Sequence, residues 1–463
     1  MKGKIVVKRF KELTIDNERK LMFGRAVHPV VTRRGLSIGG GTVYPELNFT
    51  VPPMEITEAT IGGVSKMYGE MIDDACKRAY ELDSEGFVVE FETLLEMTIR
   101  PAFAIELTKV LNDVLEKYYQ KRGLKTTLRI TVNDTREMIR PPLMRSGEML
   151  EAMIRTFEGC AREGAELLSI ESTGGKEIHD DALLNCDIAR CVFSLAIMGC
   201  RDMNFLWEKI VGIARATGTI PAGDTACGFG NTAMVLADRK YIPRVFAAVI
   251  RAVTAVRSLV AYEQGAVGPG KDCGYENPVI KAITGVPISM EGKSAACAHL
   301  SPLGNISAAA CDLWSNESVQ IVKLLGGLTP TISLEQLIYD CRLMNKALAL
   351  GDEVLLQRLM VQSDVGHDPQ ALVLAPVSVL RIARAIVREE SYYHSAVGAA
   401  KEAIAIIREG HQTGQTKLPE VEIKWLDRIE ETVETFPSSE EKFIDEIFSS
   451  LDGSKFIKKD YGF

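Results

Sequence analysis

The chain has 463 residues, 46% hydrophobic and 25% charged, which is enough for a large core arranged as two or three units, or as one barrel of about 250 residues with helical additions. A net charge of −8 lacks the basic footprint of a nucleic-acid binder and does not favour an anionic membrane surface. Ten cysteines are too sparse for a disulfide scaffold and Met1–Lys8 has no apolar signal core, so reduced thiols and a cytoplasmic location are expected.

In chain order, residues 1–53 read as irregular. Arg33–Gly41 is glycine-rich but lacks the Gly-Lys-Ser/Thr ending of a phosphate loop. It is expected as a loop over a barrel mouth, with His28-Pro29 turning into it. Residues 54–82 have helical spacing, with Met67, Met71 and Ala75 on one face. Strands and helices then alternate. Phe87–Glu92, Leu128–Asp134, Leu167–Glu171 and Gly218–Ala222 read as strands. Pro101–Lys121, Gly147–Gly164, His179–Gly199, Phe205–Thr217 and Tyr241–Gly265 read as helices. A strand recurs about every 40 residues, the size of one strand–helix unit, which predicts a parallel sheet. The longest apolar run, Ile242–Tyr262, contains Arg244, Arg251 and Arg257, so a buried helix is expected in place of a membrane span.

Beyond residue 265 the pattern offers strands at Val286–Met290 and Ile306–Ala310 and a helix at Glu317–Leu325. The fold class is α/β: a (β/α)8 TIM-type barrel with additional N-terminal and C-terminal mainly helical segments. An open doubly wound sheet is the alternative, weakened by the missing GxGxxG after the first strand. The expected division is an arm and helix at 1–82, the barrel at 83–332, and a helical segment at 333–463 that packs on the barrel or on a second copy. Ser438–Glu441 carries a capping-box pattern, and Gly453 is expected to stop that last helix.

In a barrel, reactive groups stand at the C-terminal ends of the strands. Glu171 ends its strand and is followed by Ser-Thr-Gly-Gly. Cys227 lies in Gly223-Asp-Thr-Ala-Cys-Gly-Phe-Gly-Asn231, and Cys273 in Gly270-Lys-Asp-Cys-Gly-Tyr-Glu276. Taken singly, each cysteine reads as a small buried hydrophobe and the glutamate as a loop cap. Together, at successive strand ends, two thiolates and one carboxylate suit a zinc ion with a fourth position open. That ligand set carries one negative charge in excess, which softens the ion as a Lewis acid, and the linear sequence offers no compensation. Glu92, Asp134, Asp224 and Glu276 are carboxylates for proton handling near the site, Asp224 and Glu92 foremost. Cys186, Cys191 and Cys200 read as packing along one apolar helix, as do Cys297 and Cys311 in alanine-rich segments. Cys297-Ala-His299 is a weaker metal pair.

The stretches around Glu171, Cys227 and Cys273, with Gly24-Arg-Ala-Val-His-Pro29, resemble the zinc-bearing B subunit of the methanol:corrinoid methyltransferase family over almost the whole chain. That resemblance implies a TIM-type barrel with extra helices and zinc on Glu171, Cys227 and Cys273. It implies that methanol is the methyl donor and that the cob(I)alamin (corrinoid) cofactor of a partner protein is the acceptor. It further implies a homodimer within a heterotetramer, in methanogens or acetogens. Two rivals remain at this point: a zinc methyltransferase that activates a thiol acceptor, and a metal-free assembly scaffold.

Overall fold

The computed structural model describes residues 10–271, 273–299 and 301–463. The Met1–Lys8 stretch read for a signal core lies outside them. The first strands form an antiparallel hairpin, β1 (Arg25–Val31) and β2 (Ser37–Gly40). Seven parallel strands follow: β3 (Tyr44–Thr50), β4 (Gly86–Glu92), β5 (Lys125–Val132), β6 (Leu167–Ile170), β7 (Ile220–Asp224), β8 (Ser289–Glu291) and β9 (Leu313–Ser315). Their order around the sheet is β7-β6-β5-β4-β3-β9-β8. The segment 267–270 lies between the two edges. Val267 donates its N–H to the Pro221 carbonyl of β7 at 2.9 Å, and Gly270 bridges Ile288 at the start of β8 in parallel. The ring is therefore closed at eight positions, and the expected barrel fold holds.

The strands form because their side chains alternate between two environments. In β4, Phe87, Val89 and Phe91 face the surrounding helices, and Val88 faces the barrel interior. Helices Ile61–Glu81, Pro101–Arg122, Glu148–Glu163 and Cys200–Thr217 follow their strands on the outside. Helix Arg244–Glu263 is long and apolar enough to cross a membrane but is wholly enclosed in the protein. It packs against Cys200–Thr217 on one side and Tyr392–Gln412 on the other. Two of its arginines are internal fasteners: Arg251 donates to the Gly274 carbonyl, and Arg257 to the Ser172 carbonyl, each at 2.7 Å.

Several expectations are corrected. Of the 1–53 stretch expected to be irregular, the described residues 10–53 hold the hairpin and β3, and His28 lies within β1. Arg33–Gly41 does not cover the mouth. Leu36 and Ile38 enter an apolar cluster with Tyr44, Val88, Leu167, Ala222 and Leu313, near the N-terminal ends of the strands. The hairpin thus plugs the end opposite the mouth, because its alternating Leu and Ile fit the apolar interior there. Gly39, at φ +81°, has no room for a side chain, since a Cβ would stand 2.6 Å from that of Ala26. Ile306–Ala310 is a 3-10 turn, its small residues lacking strand alternation, and the strand lies just beyond it in β9. Glu317–Leu325 is extended and not helical, for β10 (Val319–Gln320) pairs with β3, which suits β-branched Val319. Helix Thr329–Leu350 packs on β3 and on Ile61–Glu81, so it occupies the outer ring of the barrel. Near the C-terminus, Ser439 and not Ser438 caps helix Glu440–Phe448, accepting from the Lys442 N–H, and the helix stops before Gly453.

Candidate metal centre

The C-terminal ends of the strands carry the chemistry. Glu171 is the first residue after β6, on a loop pinned from both sides. The Asp224 carboxylate accepts from the Ser172 hydroxyl at 2.6 Å and from the Ser172 N–H at 3.2 Å. Asp134 accepts from the Thr173 N–H at 2.9 Å. The Gly175 N–H donates to the Tyr461 hydroxyl at 3.0 Å, so the last turn of the chain also holds this loop. Cys227 opens a turn, Cys227–Asn231, that runs into helix Thr232–Asp238. The Ala226 N–H before it is held by Glu276 at 2.7 Å. Cys273 follows the segment that closes the ring. Its N–H and that of Gly274 donate to the Thr225 hydroxyl at 3.4 and 3.2 Å.

These three loops bring one oxygen of Glu171 and the Sγ atoms of Cys227 and Cys273 within 4.8 Å of one another. Among the described residues this is the one such cluster. The Cys273 thiol donates to Glu171 Oε1 at 3.2 Å. Burial, with Cys227 and Glu171 beside it, pushes the Cys273 thiol well above its ordinary range. The contact with Cys273 pulls the Cys227 thiol down, but burial and Glu171 outweigh it and the net direction is up. Tetrahedral zinc, with bonds of about 2.3 Å to sulfur and about 2.1 Å to oxygen, sets its donors about 3.6 Å apart. The cluster meets that spacing with shifts of about 1 Å or less, and the donor set is one that zinc prefers.

Beside Glu171 and Cys227 opens a cavity of about 590 Å³, walled by Leu94, Leu95, Val235 and Leu236 and by the polar Glu92, Asn133 and Lys176. Cys273 is buried, whereas Cys227 and Glu171 line the cavity. The arrangement is a cluster of three side chains able to hold a metal ion, set beside a half-apolar cavity.

A family model of methanol-cobalamin methyltransferase B subunits matches residues 7–462. The chain belongs to this family. A methanol–corrinoid protein co-methyltransferase of Methanosarcina barkeri is 38% identical over 465 residues, covering 99% of this chain and all (100%) of the relative. In the crystal structure of the methanol:cobalamin methyltransferase complex from Methanosarcina barkeri, one chain superposes with a TM-score of 0.95 at 38% identity, covering 98% of this chain and 100% of that one.

Within this B-subunit fold, the residues singled out from sequence have separate places. Glu171, Cys227 and Cys273 meet. Glu92, at the end of β4, lines the cavity and reaches the cluster through Lys271. Burial raises its carboxyl above the ordinary range, against the pull of Lys271. Asp224 lies behind the Glu171 loop, fully buried, taking the Ser172 hydroxyl, the Trp207 Nε1–H at 2.9 Å and a contact with Arg257 at 3.7 Å. Asp134 is buried and pairs with Arg136. Cys186 is not on a continuous helix. It sits at the break between Lys176–Leu184 and Ile188–Val192 with φ +50°, where the chain turns. Cys191, Cys200 and Cys311 are buried as expected, whereas Cys297 is exposed. His299 meets Glu317 at 3.3 Å and takes no part in the metal-capable cluster.

Sequence reasoning missed Lys271 and Glu90. The Lys271 ammonium, buried at the mouth, lies 2.9 Å from Glu90, 3.2 Å from Glu92 and 3.3 Å from Glu171. The three carboxylates hold it protonated against the opposite pull of burial. The signal was present as Glu90 and Glu92 two apart in an otherwise apolar strand, hence on one interior face, and as a lysine two residues before Cys273.

Proposed function

We propose that the enzyme transfers the methyl group of methanol to the cob(I)alamin of a partner corrinoid protein, at a zinc site formed by Glu171, Cys227 and Cys273. The observation that carries this reading is the meeting of those three side chains at three different strand ends, against a cavity. When bound there, zinc supplies Lewis acidity that makes the hydroxyl oxygen of methanol a better leaving group. The chain's own residues do the rest. Glu171, Cys227 and Cys273 hold the ion and leave a fourth position to the cavity side. Leu94, Leu95, Val235 and Leu236 limit water around the methyl group. In the net reaction the carbon–oxygen bond of methanol breaks and a cobalt–carbon bond forms with the cobalt(I) electron pair. The oxygen leaves with an added proton as water.

Glu92 faces the cavity with a raised carboxyl, which supports it as the proton donor. Asp224, turned to Ser172 and Trp207, is assigned to holding the Glu171 loop. Ten free cysteines among the described residues accord with action in a reducing cytoplasm. The homodimer within a heterotetramer implied by the resemblance is supported by Tyr339, Leu343, Leu350, Leu355 and Leu359, which stand exposed on the adjoining helices Thr329–Leu350 and Glu353–Asp364.

The test is metal content together with turnover. The purified wild type should carry one zinc per chain and methylate cob(I)alamin from methanol, followed by the change in corrinoid absorbance. Cys227→Ser should lose both. Wild-type protein that turns over at full rate after its zinc is stripped would refute the reading.

A further inference from the structure

The ligand set leaves one unanswered difficulty, because two thiolates and a carboxylate around a divalent ion give a net negative centre that is a weak electrophile. The structure supplies a cation at this point. Lys271 is 3% exposed, and its ammonium reaches Glu171 Oε1 at 3.3 Å while also contacting Glu90 at 2.9 Å and Glu92 at 3.2 Å. The other buried cation of the barrel interior, Arg129, is committed below: its Nε donates to Glu46 at 2.5 Å and its guanidinium also donates to Ser169 and to the Pro269 carbonyl at 2.8 and 2.9 Å. An ammonium has three N–H donors, and the three carboxylates around it match them, one being Glu171 of the metal-capable cluster. Lys271 is also fixed by the fold. Asn277 takes its carbonyl at 2.8 Å, and Lys271 shares with Cys273 the segment that follows the ring closure.

We propose that Lys271 is a positioning residue for the metal centre. Held by Glu90 and Glu92, its ammonium draws charge from one oxygen of Glu171, so that the bound ion stays electrophilic despite two thiolates. The proposal rests on the zinc reading above. Glu92 has an opposing effect in its ionised form, the form left once it has given up a proton: its negative charge then holds the ammonium back from Glu171.

The two roles give opposite signs for metal affinity, which a purely structural ion pair would not. The experiment uses full-length protein loaded with zinc and compares wild type, Lys271→Met, the charge-conserving pair Glu90→Gln/Lys271→Met, and Glu92→Gln. Zinc affinity is read by competition with a chromophoric chelator, and the ligand field from the visible spectrum of the cobalt(II)-substituted protein. kcat and KM for methanol are measured with free cob(I)alamin. Outer-shell changes at metal sites typically shift affinity or activity by about 10–100-fold. Lys271→Met, alone or in the pair, is expected to bind zinc as tightly as wild type or up to about 10-fold tighter, with kcat down about 10–100-fold and a shifted cobalt spectrum. Glu92→Gln is expected to bind zinc more weakly. Loss of zinc in parallel with activity in the lysine variants overturns the proposal. So does an unchanged kcat, or failure of both lysine variants to fold, which would make Lys271 a structural keystone. A wild type without zinc would instead refute the zinc reading itself.

Discussion

Gly174→Ala tests whether the Glu171 loop is held by packing as tightly as its geometry implies. A Cβ at position 174 would overlap Cβ, Cγ and Oδ2 of Asp202. Relief to an ordinary contact of about 3.5 Å requires a movement of about 1 Å by one side or the other. Asp202 is the stiffer side, since it accepts from both terminal nitrogens of Arg136 at 2.8 and 2.9 Å. Arg136 is itself anchored on Asp134 at 2.8 and 2.7 Å. Breaking that buried network costs about 3–5 kcal/mol, whereas an overpacked loop that shifts costs about 1–3 kcal/mol. The loop should therefore give way and carry Glu171 with it. A displacement of about 1 Å costs on the order of 100-fold in turnover. The assays are zinc retention under chelator competition, methanol-dependent methylation of cob(I)alamin and thermal unfolding. A variant that keeps wild-type zinc affinity, turnover and melting temperature would refute the claim that Asp202 and the Arg136 network position Glu171.

Two further outcomes follow from buried carboxyls. Burial lifts Glu177, which accepts from the Tyr461 hydroxyl at 3.1 Å, to about 7 from an ordinary value near 4.5. A carboxyl raised in the folded state contributes its stability below the unfolded value and loses it as pH rises through the folded one, here about 3 kcal/mol between pH 4.5 and 7. Glu177→Gln should flatten that part of the stability profile, read as melting temperature against pH; an identical slope in wild type and variant would exclude Glu177 as its source. Asp224→Asn leaves Arg257 without its buried anion and should lower stability by about 3 kcal/mol. The pH–rate profile of this variant should keep its shape, and a displaced profile would return Asp224 to the role of proton donor.

The legible parts of the fold and site were those whose physics is local. β4 to β7 are apolar or alternating runs bounded by turn residues, and Glu171, Cys227 and Cys273 stand out because glycines or small residues flank them. The rest depends on neighbours. Tyr44-Pro-Glu-Leu-Asn-Phe-Thr50 reads as loop because Pro45, Glu46 and Asn48 are poor strand residues. It becomes β3 because Glu46 finds Arg129 and Asn48 finds Glu92 inside the barrel. β8 and β9 are three residues each, too short to show a period. The ring closure at Val267-Gly-Pro-Gly270 has no strand pattern, and its pairing is imposed from both sides. The Gly-rich hairpin was assigned to the wrong end of the barrel because its two inward side chains, Leu36 and Ile38, declare burial but not which end receives them. Lys271 was unreadable for a similar reason. A lysine between glycine and aspartate looks like surface, and only the fold places three carboxylates around it.

The vertical order of the barrel interior argues for why those carboxylates are there. At the bottom, Leu36 and Ile38 make an apolar plug. Above it lies the buried pair Glu46–Arg129, with Ser169 and Ser289 as further partners. Nearer the mouth come Glu90, Glu92 and Lys271, then the metal-capable cluster. Replacing a buried ion pair with well-packed apolar residues is often neutral or stabilising by about 1–4 kcal/mol, so stability alone does not explain this stack. Its charges do not balance either. Among the described residues, Glu46, Glu90, Glu92 and Glu171 form ion pairs with Arg129 and Lys271 alone, and burial raises the Glu46 and Glu92 carboxyls. Buried Glu291, whose Oε2 finds no hydrogen-bond partner among the described residues, is raised further still, Glu317 adding to the effect of burial. An interior with surplus carboxylate is unfavourable for a protein that stays empty, and becomes favourable once a divalent cation enters at the top of the stack. On the proposed zinc reading, the polar layers are therefore better understood as the electrostatic setting of the Glu171–Cys227–Cys273 cluster than as part of the core that holds the barrel together.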